Sequence, residues 1–512
     1  MRIGIDVGGT NTDAVLLDGT EVLAAVKMST TTDVTSGIVA AIDGLQRQHA
    51  FDPAGVRAVM IGTTHFINAL VEARRLAPTA AVRLSLPAGA SLPPMVDWPQ
   101  RLVEAVSGRS YLCHGGHEFD GRHIAELDEA ELRKAIDDMG RNGVRSVAIT
   151  SVFSPVNHDF EQRAAELIAA ELPDVAISLS HEIGRIGLLE RENATVINAA
   201  LRELAANIVD GLATSVAGAG ITAPLYLSQN DGTLMDVDFA RRYPVATFAS
   251  GPTNSMRGAA VLSGLDTCAV IDVGGTTSDV GVLNQGFPRE ATTAVSVAGI
   301  RTNFRMPDVL SIGIGGGSLV RGGTVGPESV GYQLTSKALV FGGDTLTATD
   351  IAVAAGRAEI GDPELVEHLD KDVVRAALER IAADNADAVE RMRTSAEPLP
   401  VVAVGGGSVL LPDELGDAGE VHRPENYAVA NAIGAAIAQI GGEVDRVYAI
   451  EPGRRDSVVD EAKQEAVDRA VAAGASPSTV DIVDFDEVPI PYLPGNATRI
   501  RVKAVGDLQL EA

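Results

Sequence analysis

The strongest constraint on the fold of this 512-residue chain is a short pattern that occurs twice. The first copy, Ile5–Asp13, reads IDVGGTNTD, and the second, Ile271–Asp279, reads IDVGGTTSD. In each copy an apolar strand leads through an Asp into a Gly-Gly-Thr turn, and a second apolar strand follows. Glycine lets backbone N–H groups approach an anion, and threonine adds a hydroxyl donor. The sequence therefore predicts two strand–turn–strand units that face each other across a cleft and hold a nucleotide triphosphate.

The two turns supply candidate ligands for a nucleotide and a metal ion. Asp6 and Asp272, which match between the copies, are the predicted catalytic residues and the predicted Mg²⁺ ligands through water. The predicted phosphate-binding residues are Gly8, Gly9, Thr10, Asn11 and Thr12 in the first turn and Gly274, Gly275, Thr276, Thr277 and Ser278 in the second. The alternative is that the aspartates only cap their turns. Asp13 and Asp279 also match between the copies. For these two residues, a role in the site and a hydrogen bond to their own backbone are equally open.

Two other phosphate-binding motifs can be separated from this one. A dinucleotide-binding fingerprint requires its glycines to open a helix after the strand, whereas the residues after both turns alternate like a strand. A P-loop requires Gly-Lys-Ser or Gly-Lys-Thr, and neither turn is followed by that triplet. The pattern therefore favours paired hairpins over either motif.

Two later glycine-rich segments extend the predicted nucleotide site. In VVAVGGGS a strand over Val401–Val404 ends in Gly405, Gly406 and Gly407, which are predicted to pack against adenosine. In SIGIGGGS the glycines at Gly315 and Gly316 are predicted to face the nucleotide or the substrate. The alternatives are a tight strand–helix turn for the first segment and a plain linker for the second.

Composition excludes several classes of partner. The chain has 69 acidic and 41 basic residues and a formal net charge of −28, which argues against nucleic acid and anionic membranes. No apolar run is long enough to span a membrane, and no basic, apolar leader precedes the first strand. Two cysteines, Cys113 and Cys268, are too few for a disulfide framework. We therefore expect a cytoplasmic protein that binds small molecules, with homo-oligomers as an open possibility.

Secondary-structure signals suggest three parts. The predicted first lobe is 1–245 with the first phosphate turn, the second lobe is 246–444 with the second turn and the adenosine segment, and 445–512 is a small C-terminal unit. The pattern from Pro424 to Ile440 predicts a helix, and the C-terminal unit is predicted to hold one helix and two strands.

The combination of the two Asp turns with VVAVGGGS resembles the actin-like ATPase fold, the superfamily of sugar kinases, Hsp70 and actin. More specific strings are GIDVGGTNTDAVLLDG, GTTHFINALVEA, FASGPTNSMRGAAVL, IDVGGTTSDVGVLNQG and SIGIGGGS. Together they resemble the hydantoinase/oxoprolinase family, typified by the ATP-dependent N-methylhydantoinase A subunit, from residue 1 to about 440. The chain departs from the family at Ser228–Gly232, which reads SQNDG where the pattern has Gln-Ser-Asn-Gly-Gly.

The resemblance implies an α/β fold of two duplicated lobes and an ATP-dependent hydrolase that opens cyclic amides such as hydantoins, 5-oxoproline or other lactams. It implies ATP and Mg²⁺ as cofactors, transfer of the γ-phosphate to the amide oxygen, and a B-type partner subunit. The alternatives are an ATP-dependent carboxylase subunit of the acetone carboxylase type and a small-molecule kinase of the same fold. A non-catalytic ATP switch would need a longer interaction domain than the C-terminal residues provide.

Several residues outside the turns are further candidates. Asp231 follows a first-lobe strand, where related kinases keep a catalytic base, although a surface turn is the simpler interpretation. His65 and Asn68 follow a strand end and are predicted substrate contacts, with a structural histidine as the alternative. The histidines of CHGGHEFDGRH are close enough in sequence to suggest a metal site, but their spacing matches no standard zinc pattern and also suits a Gly-rich hairpin. These are His114, His117 and His123.

Overall fold

A computed structural model of the protein describes residues 1–9, 11–29, 34–291, 294–395, 397, 399–490 and 496–510. Within these residues the strands are β1 Arg2–Val7, β2 Asn11–Asp18, β3 Glu21–Ser29, β4 Ala58–Thr63, β5 Thr79–Leu86, β6 Arg109–His114, β7 Ser146–Ser151, β8 Ala176–Leu179, β9 Leu225–Ser228, β10 Thr233–Asp236, β11 Cys268–Val273, β12 Ser278–Asn284, β13 Phe287–Pro288, β14 Val295–Val297, β15 Ile300–Thr302, β16 Val309–Ile312, β17 Ser318–Arg321, β18 Thr324–Ser329, β19 Val401–Val404, β20 Val421–His422, β21 Gln439–Ala449, β22 Asp481–Pro489 and β23 Ala497–Gly506. The α-helices are α1 Val34–Gln48, α2 His65–Val71, α3 Gln100–Ala105, α4 Glu129–Arg141, α5 Asp159–Glu171, α6 Ser180–Ile183, α7 Leu188–Gly218, α8 Val237–Arg242, α9 Ser250–Ser263, α10 Leu334–Lys337, α11 Ala348–Ala354, α12 Lys371–Met392, α13 Ala430–Ile437 and α14 Arg455–Ala472.

The largest sheet has nine strands in the order β22-β23-β21-β10-β9-β4-β1-β2-β3. Strand β1 pairs antiparallel with β2 and parallel with β4. These pairings place Asp6 opposite Asp13 on one side and opposite Gly62 on the other. The first phosphate turn therefore projects from the carboxyl end of β1, beside the carboxyl end of β4.

The second sheet repeats this arrangement. Its order is β13-β12-β11-β19-β20, and β16 also pairs with β12. Strand β11 is antiparallel to β12, with Asp272 opposite Asp279, and parallel to β19, with Asp272 opposite Val404. The same hairpin beside the same kind of parallel strand confirms the duplicated lobes expected from the sequence.

A third sheet, which the sequence analysis did not separate, lies inside the first predicted lobe. Its four parallel strands follow the order β6-β5-β7-β8, and helices α4 and α5 lie along it. It has an apolar core of its own, which includes Leu84, Ile136 and Ile149. The alternating strand and helix signals over this region therefore form a separate parallel sheet, in which connecting helices cover the strands.

The C-terminal residues extend the first sheet. Residues 445–512 contain α14, β22 and β23, as the sequence predicted. These strands belong to the first sheet, because β23 pairs with β21 and β21 pairs with β10. The expected helix over 424–440 was too long, because α13 ends at Ile437 and Gln439 and Ile440 pair with β10 instead. Sheet pairing overrides the helical pattern there. The boundaries at 245 and 444 stay predictions.

Helices α9 and α13 join the two lobes at a close crossing of small residues. A Cβ at Gly258 of α9 would lie 1.9 Å from the carbonyl oxygen of Ala430, and one at Gly434 of α13 would lie 1.8 Å from that of Asn254. Backbones this close leave no room for a side chain. Among the described residues, no helix is both long and apolar enough to cross a membrane.

We predict that Gly258→Ala destabilises the protein, because the new methyl group meets a backbone oxygen that cannot rotate away. Overpacking of this kind typically costs about 1–3 kcal/mol. Thermal unfolding followed by circular dichroism should show a lower melting temperature. The control is Gly251→Ala on the same helix, where a Cβ meets nothing within 4 Å, and which should be neutral or slightly stabilising. Equal melting temperatures for the two variants would contradict the close crossing.

Candidate active site

Asp6 is a buried carboxylate at the end of β1, with 5% of its surface exposed. Its Oδ1 occupies the space where a side chain of residue 62 would stand, because a Cβ at Gly62 would lie 2.2 Å away. The Nδ2 group of Asn431 donates to Oδ2 at 3.0 Å, and that of Asn254 approaches Oδ1 at 3.4 Å. Burial and the nearby Asp13 raise the pKa of Asp6 to about 6, against the lowering effect of the two amides.

Asp272 occupies the matched position in the second lobe. A Cβ at Gly405 would lie 2.2 Å from its Oδ1, and Ser255 Oγ donates to its Oδ2 at 2.5 Å. Burial raises the pKa of Asp272, while the hydroxyl of Ser255 and the charge of Lys27 act in the opposite direction. In both lobes, therefore, a glycine on the neighbouring strand or just after it makes room for the carboxylate.

One helix holds both carboxylates. Asn254 and Ser255 are consecutive residues of α9, and they contact Asp6 of the first lobe and Asp272 of the second. The Asn431 amide, on α13, donates to Asp6 from the other side of the crossing. The helix crossing that joins the lobes thus also fixes the positions of the two acidic side chains.

Lys27 places a cation in the cleft. Its Nζ lies 2.6 Å from both carboxylate oxygens of Asp13, which also accepts from Asn431 at 2.8 Å. Asp13 is thus held by side chains of the cleft, which favours a role in the site over the backbone-capping alternative. The Cε of Lys27 lies 3.9 Å from the space beside Gly406, so it reaches from the first lobe to the second.

The two phosphate turns are closed by equivalent backbone hydrogen bonds. The Gly8 N–H donates to the Asn11 carbonyl at 3.0 Å, and the Gly274 N–H donates to the Thr277 carbonyl at 2.9 Å. Thr10, a predicted phosphate ligand, lies outside the described residues. The matching bonds close the two hairpins at equivalent positions.

The exposure of the turn residues separates those that face the cleft from those that do not. Gly9 and Thr276 are exposed at the tips. Thr12 and Ser278 begin the second strand of each hairpin and are buried, and Ser278 Oγ donates to the Ile314 carbonyl at 2.7 Å. The prediction that the Ser278 hydroxyl binds phosphate is therefore corrected, because that hydroxyl anchors the neighbouring loop.

The segment SIGIGGGS supports the second turn from behind. Gly315 and Gly316 are buried, and the Gly316 N–H donates to the Gly274 carbonyl at 3.0 Å. The next residue, Gly317, donates in the same way to Gly275 at 2.7 Å. These glycines were predicted to face the nucleotide or the substrate, but their burial gives them a supporting position instead.

The segment VVAVGGGS is only partly open. Gly406 is exposed and Gly405 is half-buried, whereas Gly407 is buried and its N–H donates to the Val273 carbonyl at 2.8 Å. Gly405 and Gly406 are therefore in position to border a base, and Gly407 closes the turn against β11.

The predicted substrate contacts lie beside the first turn. Thr64 donates its N–H to the Val7 carbonyl at 3.3 Å, and this bond ties the start of α2 to the end of β1. His65 is half-buried, with Nδ1 2.7 Å from Thr63 Oγ1, and burial lowers its pKa. Asn68 is exposed one helical turn later. Both residues remain predictions as substrate contacts.

Asp231 is held in a buried ion pair. Lys503 Nζ lies 3.0 Å from its Oδ2, and Thr233 donates to its Oδ1 from both its hydroxyl and its N–H. Burial alone would raise the pKa of Asp231, but Lys503 and Thr233 bring it down to about 2. A general base works best with a pKa near the operating pH, so this environment favours a structural anion over the predicted catalytic base.

The three clustered histidines do not converge on one point. His114 Nδ1 lies 2.9 Å from Glu131, while His117 is fully buried against Phe160, with ring centroids 4.5 Å apart. His117 and His123 face each other across a bridge of the expected hairpin. Within the part of the chain that the structure describes, one group of possible metal ligands has its donor atoms within 4.8 Å of one another. This group comprises His114, Asp128 and Glu131.

Sequence comparison decides the family. Residues 2–172 match the family profile described as the hydantoinase/oxoprolinase N-terminal region, and residues 191–397 match the profile described as hydantoinase/oxoprolinase. The chain belongs to the hydantoinase/oxoprolinase family. The resemblance that the phosphate-turn strings indicated is thereby confirmed.

Two relatives in this family are named subunits of enzymes. The chain is 28% identical over 385 residues to caprolactamase subunit alpha of Pseudomonas jessenii and 27% identical over 396 residues to the acetophenone carboxylase gamma subunit of Aromatoleum aromaticum. Each match covers 69% of this chain but only 54% and 53% of those relatives, so the chain spans about half their length. An uncharacterised protein of Methanocaldococcus jannaschii is 25% identical, over 96% of this chain and 79% of that protein.

Solved structures show the same hydantoinase-family fold. The crystal structure of the ATP-dependent caprolactamase from Pseudomonas jessenii matches with a TM-score of 0.80 and 20% identity, over 99% of this chain and 88% of that one. Nucleotide-free acetone carboxylase matches with a TM-score of 0.70 and 15% identity, over 100% and 88%. With the repeated strand arrangement, these matches confirm the α/β fold of two duplicated lobes.

Four polar residues of this hydantoinase-family site were missed by the sequence analysis: Lys27, Asn254, Ser255 and Asn431. Asn254 and Ser255 lie within FASGPTNSMRGAAVL, a string that supported the family resemblance, so a signal existed for them. Lys27 and Asn431 lie on an ordinary strand and an apolar helix, and their sequence surroundings carry no such signal.

We predict that Asp6→Asn becomes more stable relative to wild type as pH rises from 4 to 7. Since the pKa of Asp6 is raised to about 6, the folded protein binds this proton more tightly than the unfolded chain. The wild-type protein therefore loses folding stability as Asp6 ionises with rising pH, whereas the Asp6→Asn protein does not. Melting temperatures of the ligand-free proteins across this range test it, with Asp18→Asn at an exposed position as the control. A difference in melting temperature between Asp6→Asn and wild type that stays constant with pH would contradict the raised pKa of Asp6.

We predict that Asp231→Asn is strongly destabilising, because it leaves the buried Lys503 charge without its partner. Breaking a buried pair typically costs about 3–5 kcal/mol. Asp231→Asn combined with Lys503→Met should recover much of that loss, and urea unfolding measures both. If the double variant also regains activity, Asp231 is structural. A stable double variant without activity would instead restore Asp231 as a catalytic candidate.

Proposed function

We propose that this chain is the nucleotide-binding subunit of an ATP-dependent cyclic amidohydrolase, which opens a hydantoin, 5-oxoproline or another lactam. The observation that carries the proposal is the pair of carboxylates, buried Asp6 and half-buried Asp272, which helix α9 holds together beside two matched Gly-Gly-Thr turns. Membership of the family supports a hydantoinase-type reaction, and the ATP-dependent caprolactamase among the relatives supports ATP as the co-substrate.

Mg²⁺ fits the donor set of this cleft. Mg²⁺ prefers oxygen ligands and usually keeps several waters. Asp6 and Asp272 offer carboxylate oxygens, and the buried Oδ1 of Asn254 has no hydrogen-bond partner among the described residues. The two aspartates would hold the ion through water. When bound, Mg²⁺ supplies positive charge that offsets the charge of the phosphates.

The cleft provides what phosphoryl transfer mainly requires, which is positioning and charge neutralisation. The exposed backbone at Gly9 and Thr276 would bind phosphate oxygens from opposite lobes, and Lys27 adds a cation between them. Gly406 would border the adenosine. The γ-phosphoryl group then passes to the amide oxygen of the substrate, ADP leaves, and the phosphorylated imidate becomes open to attack by water.

A second subunit is part of the proposal. Both named relatives are themselves subunits, of caprolactamase and of acetophenone carboxylase. This chain spans about half the length of each. We therefore propose that a B-type subunit completes the hydrolysis of the phosphorylated imidate. The two cysteines are free and buried, which supports a reducing compartment such as the cytoplasm.

The alternative is a subunit of an ATP-dependent carboxylase. The acetophenone carboxylase relative and the structural match to acetone carboxylase favour it, because both enzymes are carboxylases by name. The two reactions differ in the acceptor of the phosphoryl group and in whether bicarbonate is consumed. A test with cyclic amides and ketones in parallel therefore separates them.

We predict Mg²⁺-dependent ADP formation that a cyclic amide stimulates. The purified chain, alone and with the product of its neighbouring gene, is incubated with ATP, Mg²⁺ and panels of lactams, hydantoins, sugars, and ketones with bicarbonate. Asp6→Asn and Asp272→Asn should each lower this rate by about a hundredfold or more, because the charge at the metal site is lost. Asp18→Asn should leave the rate unchanged.

The product distinguishes the candidate functions. Ring-opened amino acid that forms only with the partner present supports the amidohydrolase. Bicarbonate-dependent carboxylation of a ketone would refute the amidohydrolase in favour of the carboxylase. A stable sugar phosphate formed by the chain alone would refute both in favour of a kinase.

A further inference from the structure

A cavity of about 690 Å³ lies outside the proposed nucleotide site. Among the described residues, none of those that line it belongs to either phosphate turn. Four parts of the chain meet around it, and they contribute Arg185 after α6, Asn303 between β15 and β16, Asp445 on β21 and Arg499 on β23. Ligand sites occur preferentially where separate structural units meet. The cavity is therefore a candidate for a second binding site.

The wall of this cavity is rich in basic side chains, although the whole chain has a formal net charge of −28. These side chains are Arg185, Arg305, Arg446, Arg469, Arg499 and Lys503. Acidic side chains lie among them, and Lys503 already pairs with Asp231 at 3.0 Å. A ligand would therefore find its charged partners among the arginines, and the pairing of each arginine decides which of them can bind it.

Three of these arginines surround one carboxylate, that of Asp445. Arg499 donates to it from Nε at 2.7 Å and from Nη2 at 2.5 Å. The Nε of Arg185 and the Nη2 of Arg305 lie 3.5 Å and 3.7 Å from its Oδ2. Burial alone would raise the pKa of Asp445, but Arg499, Arg305 and Arg185 lower it below its ordinary value. Asp445 therefore stays ionised and holds the three guanidinium groups close together.

Arg305 is the enclosed member of this group. Its side chain is 13% exposed, and burial lowers its pKa to about 10. It also pairs with Glu443, and its Nη1 lies 3.5 Å from Glu290. Protein carboxylates thus surround Arg305, so it stabilises the wall and is not a contact that a ligand would need.

Arg185 and Arg499 each keep one donor group free. Hydrogen bonds engage Nη2 of Arg185, which donates to Glu290 at 3.3 Å, and both Nε and Nη2 of Arg499. The Nη1 group of each arginine forms no hydrogen bond within the part of the chain that the structure describes. The two side chains are 25% and 27% exposed. Because the planar guanidinium group matches a carboxylate, these two neighbours offer donors to an organic anion.

The backbone around Arg185 is fixed before any ligand binds. Its N–H donates to Asn303 Oδ1 at 3.2 Å, and its carbonyl accepts from Asn303 Nδ2 at 3.2 Å and from Arg191 Nη1 at 2.9 Å. Arg499 lies on a strand, where it pairs with Val447 of β21. Prior ordering of this kind lowers the entropic cost of binding. Both arginines are therefore held on backbone that is already ordered.

The remaining wall is mixed. Ile183, Val245 and Phe304 contribute apolar side chains, and Ser154 and Asn230 contribute polar ones. A volume of about 690 Å³ lies in the range of pockets that hold organic molecules. The wall therefore suits an anion with a carbon skeleton better than a bare inorganic ion.

We propose that this cavity binds a small organic acid, whose carboxylate accepts hydrogen bonds from Nη1 of Arg185 and Nη1 of Arg499. The exposed arginines Arg446 and Arg469 add positive charge at the rim of the cavity. The inference does not rest on the proposed function, because the site uses no residue of the phosphate turns and involves no turnover of ATP.

The test is calorimetric titration of the ligand-free chain with glutarate, pentanoate and benzoate at constant ionic strength. We expect saturable binding of at least one of these acids at millimolar or lower concentration. Arg185→Gln should weaken that binding about tenfold or more, because it removes a charged donor. The matched control is Arg321→Gln, at an exposed arginine that pairs with Glu328 at 2.8 Å and does not line the cavity, and it should bind like wild type.

A second pair of variants keeps the test independent of folding. Ala473 is exposed at the C-terminal end of α14 and lines the cavity, so its replacement breaks no side-chain hydrogen bond. Ala473→Lys should tighten the binding of the acid and Ala473→Glu should weaken it, because the two substitutions bring opposite charges to the rim. Melting temperatures report whether each variant is folded.

The results that would overturn the inference are specific. Absence of saturable binding of all three acids at millimolar concentration would do so. Affinity that is unchanged in Arg185→Gln, or that does not change in opposite directions in the two Ala473 variants, would do so as well. Inorganic phosphate that binds more tightly than every organic acid would overturn the assignment of a carboxylate ligand. None of these results bears on the proposed function, which is tested by ADP formation.

Discussion

The crossing of α9 and α13 is the contact on which the rest of the structure depends. Gly258 and Gly434 let the two backbones touch, and this closeness brings the amide of Asn254 to Asp6 and the hydroxyl of Ser255 to Asp272. Both carboxylates take their hydrogen-bond partners from these helices, and Asp6 is buried while Asp272 is half-buried. The geometry of the cleft is therefore decided by helix packing between the lobes.

The same crossing explains why the lobes can act together. A shift of α9 along its axis would move the hydrogen-bond partners of both carboxylates at once, because those partners are neighbours in sequence. Lys27 adds a second link, since it pairs with Asp13 in the first lobe and reaches Gly406 in the second. Opening or closing of the cleft would therefore change both halves of the site in concert.

The described residues place two kinds of chemistry side by side. The cleft combines turn backbone, a lysine and two carboxylates, the set that we propose to hold a nucleotide and a metal ion. A separate cavity, whose wall includes His181 and Asn230, is lined by many charged side chains, and Glu161 pairs with His181 there. The turn at Asn230 lies in the wall of that cavity. Asp231 in that turn pairs with Lys503.

The sequence by itself determined the duplicated hairpins, the matched aspartates, the glycine-rich turns and the family, because each depends on a local pattern that repeats within the chain. Only the tertiary structure decided the partners of those residues. Asn431 meets Asp6 and Asp13, Lys503 meets Asp231, and Glu161 meets His181 across separations that no local pattern encodes. The buried position of Ser278 and the join of β21 to β10 were decided in the same way, because sheet pairing and burial depend on the whole chain.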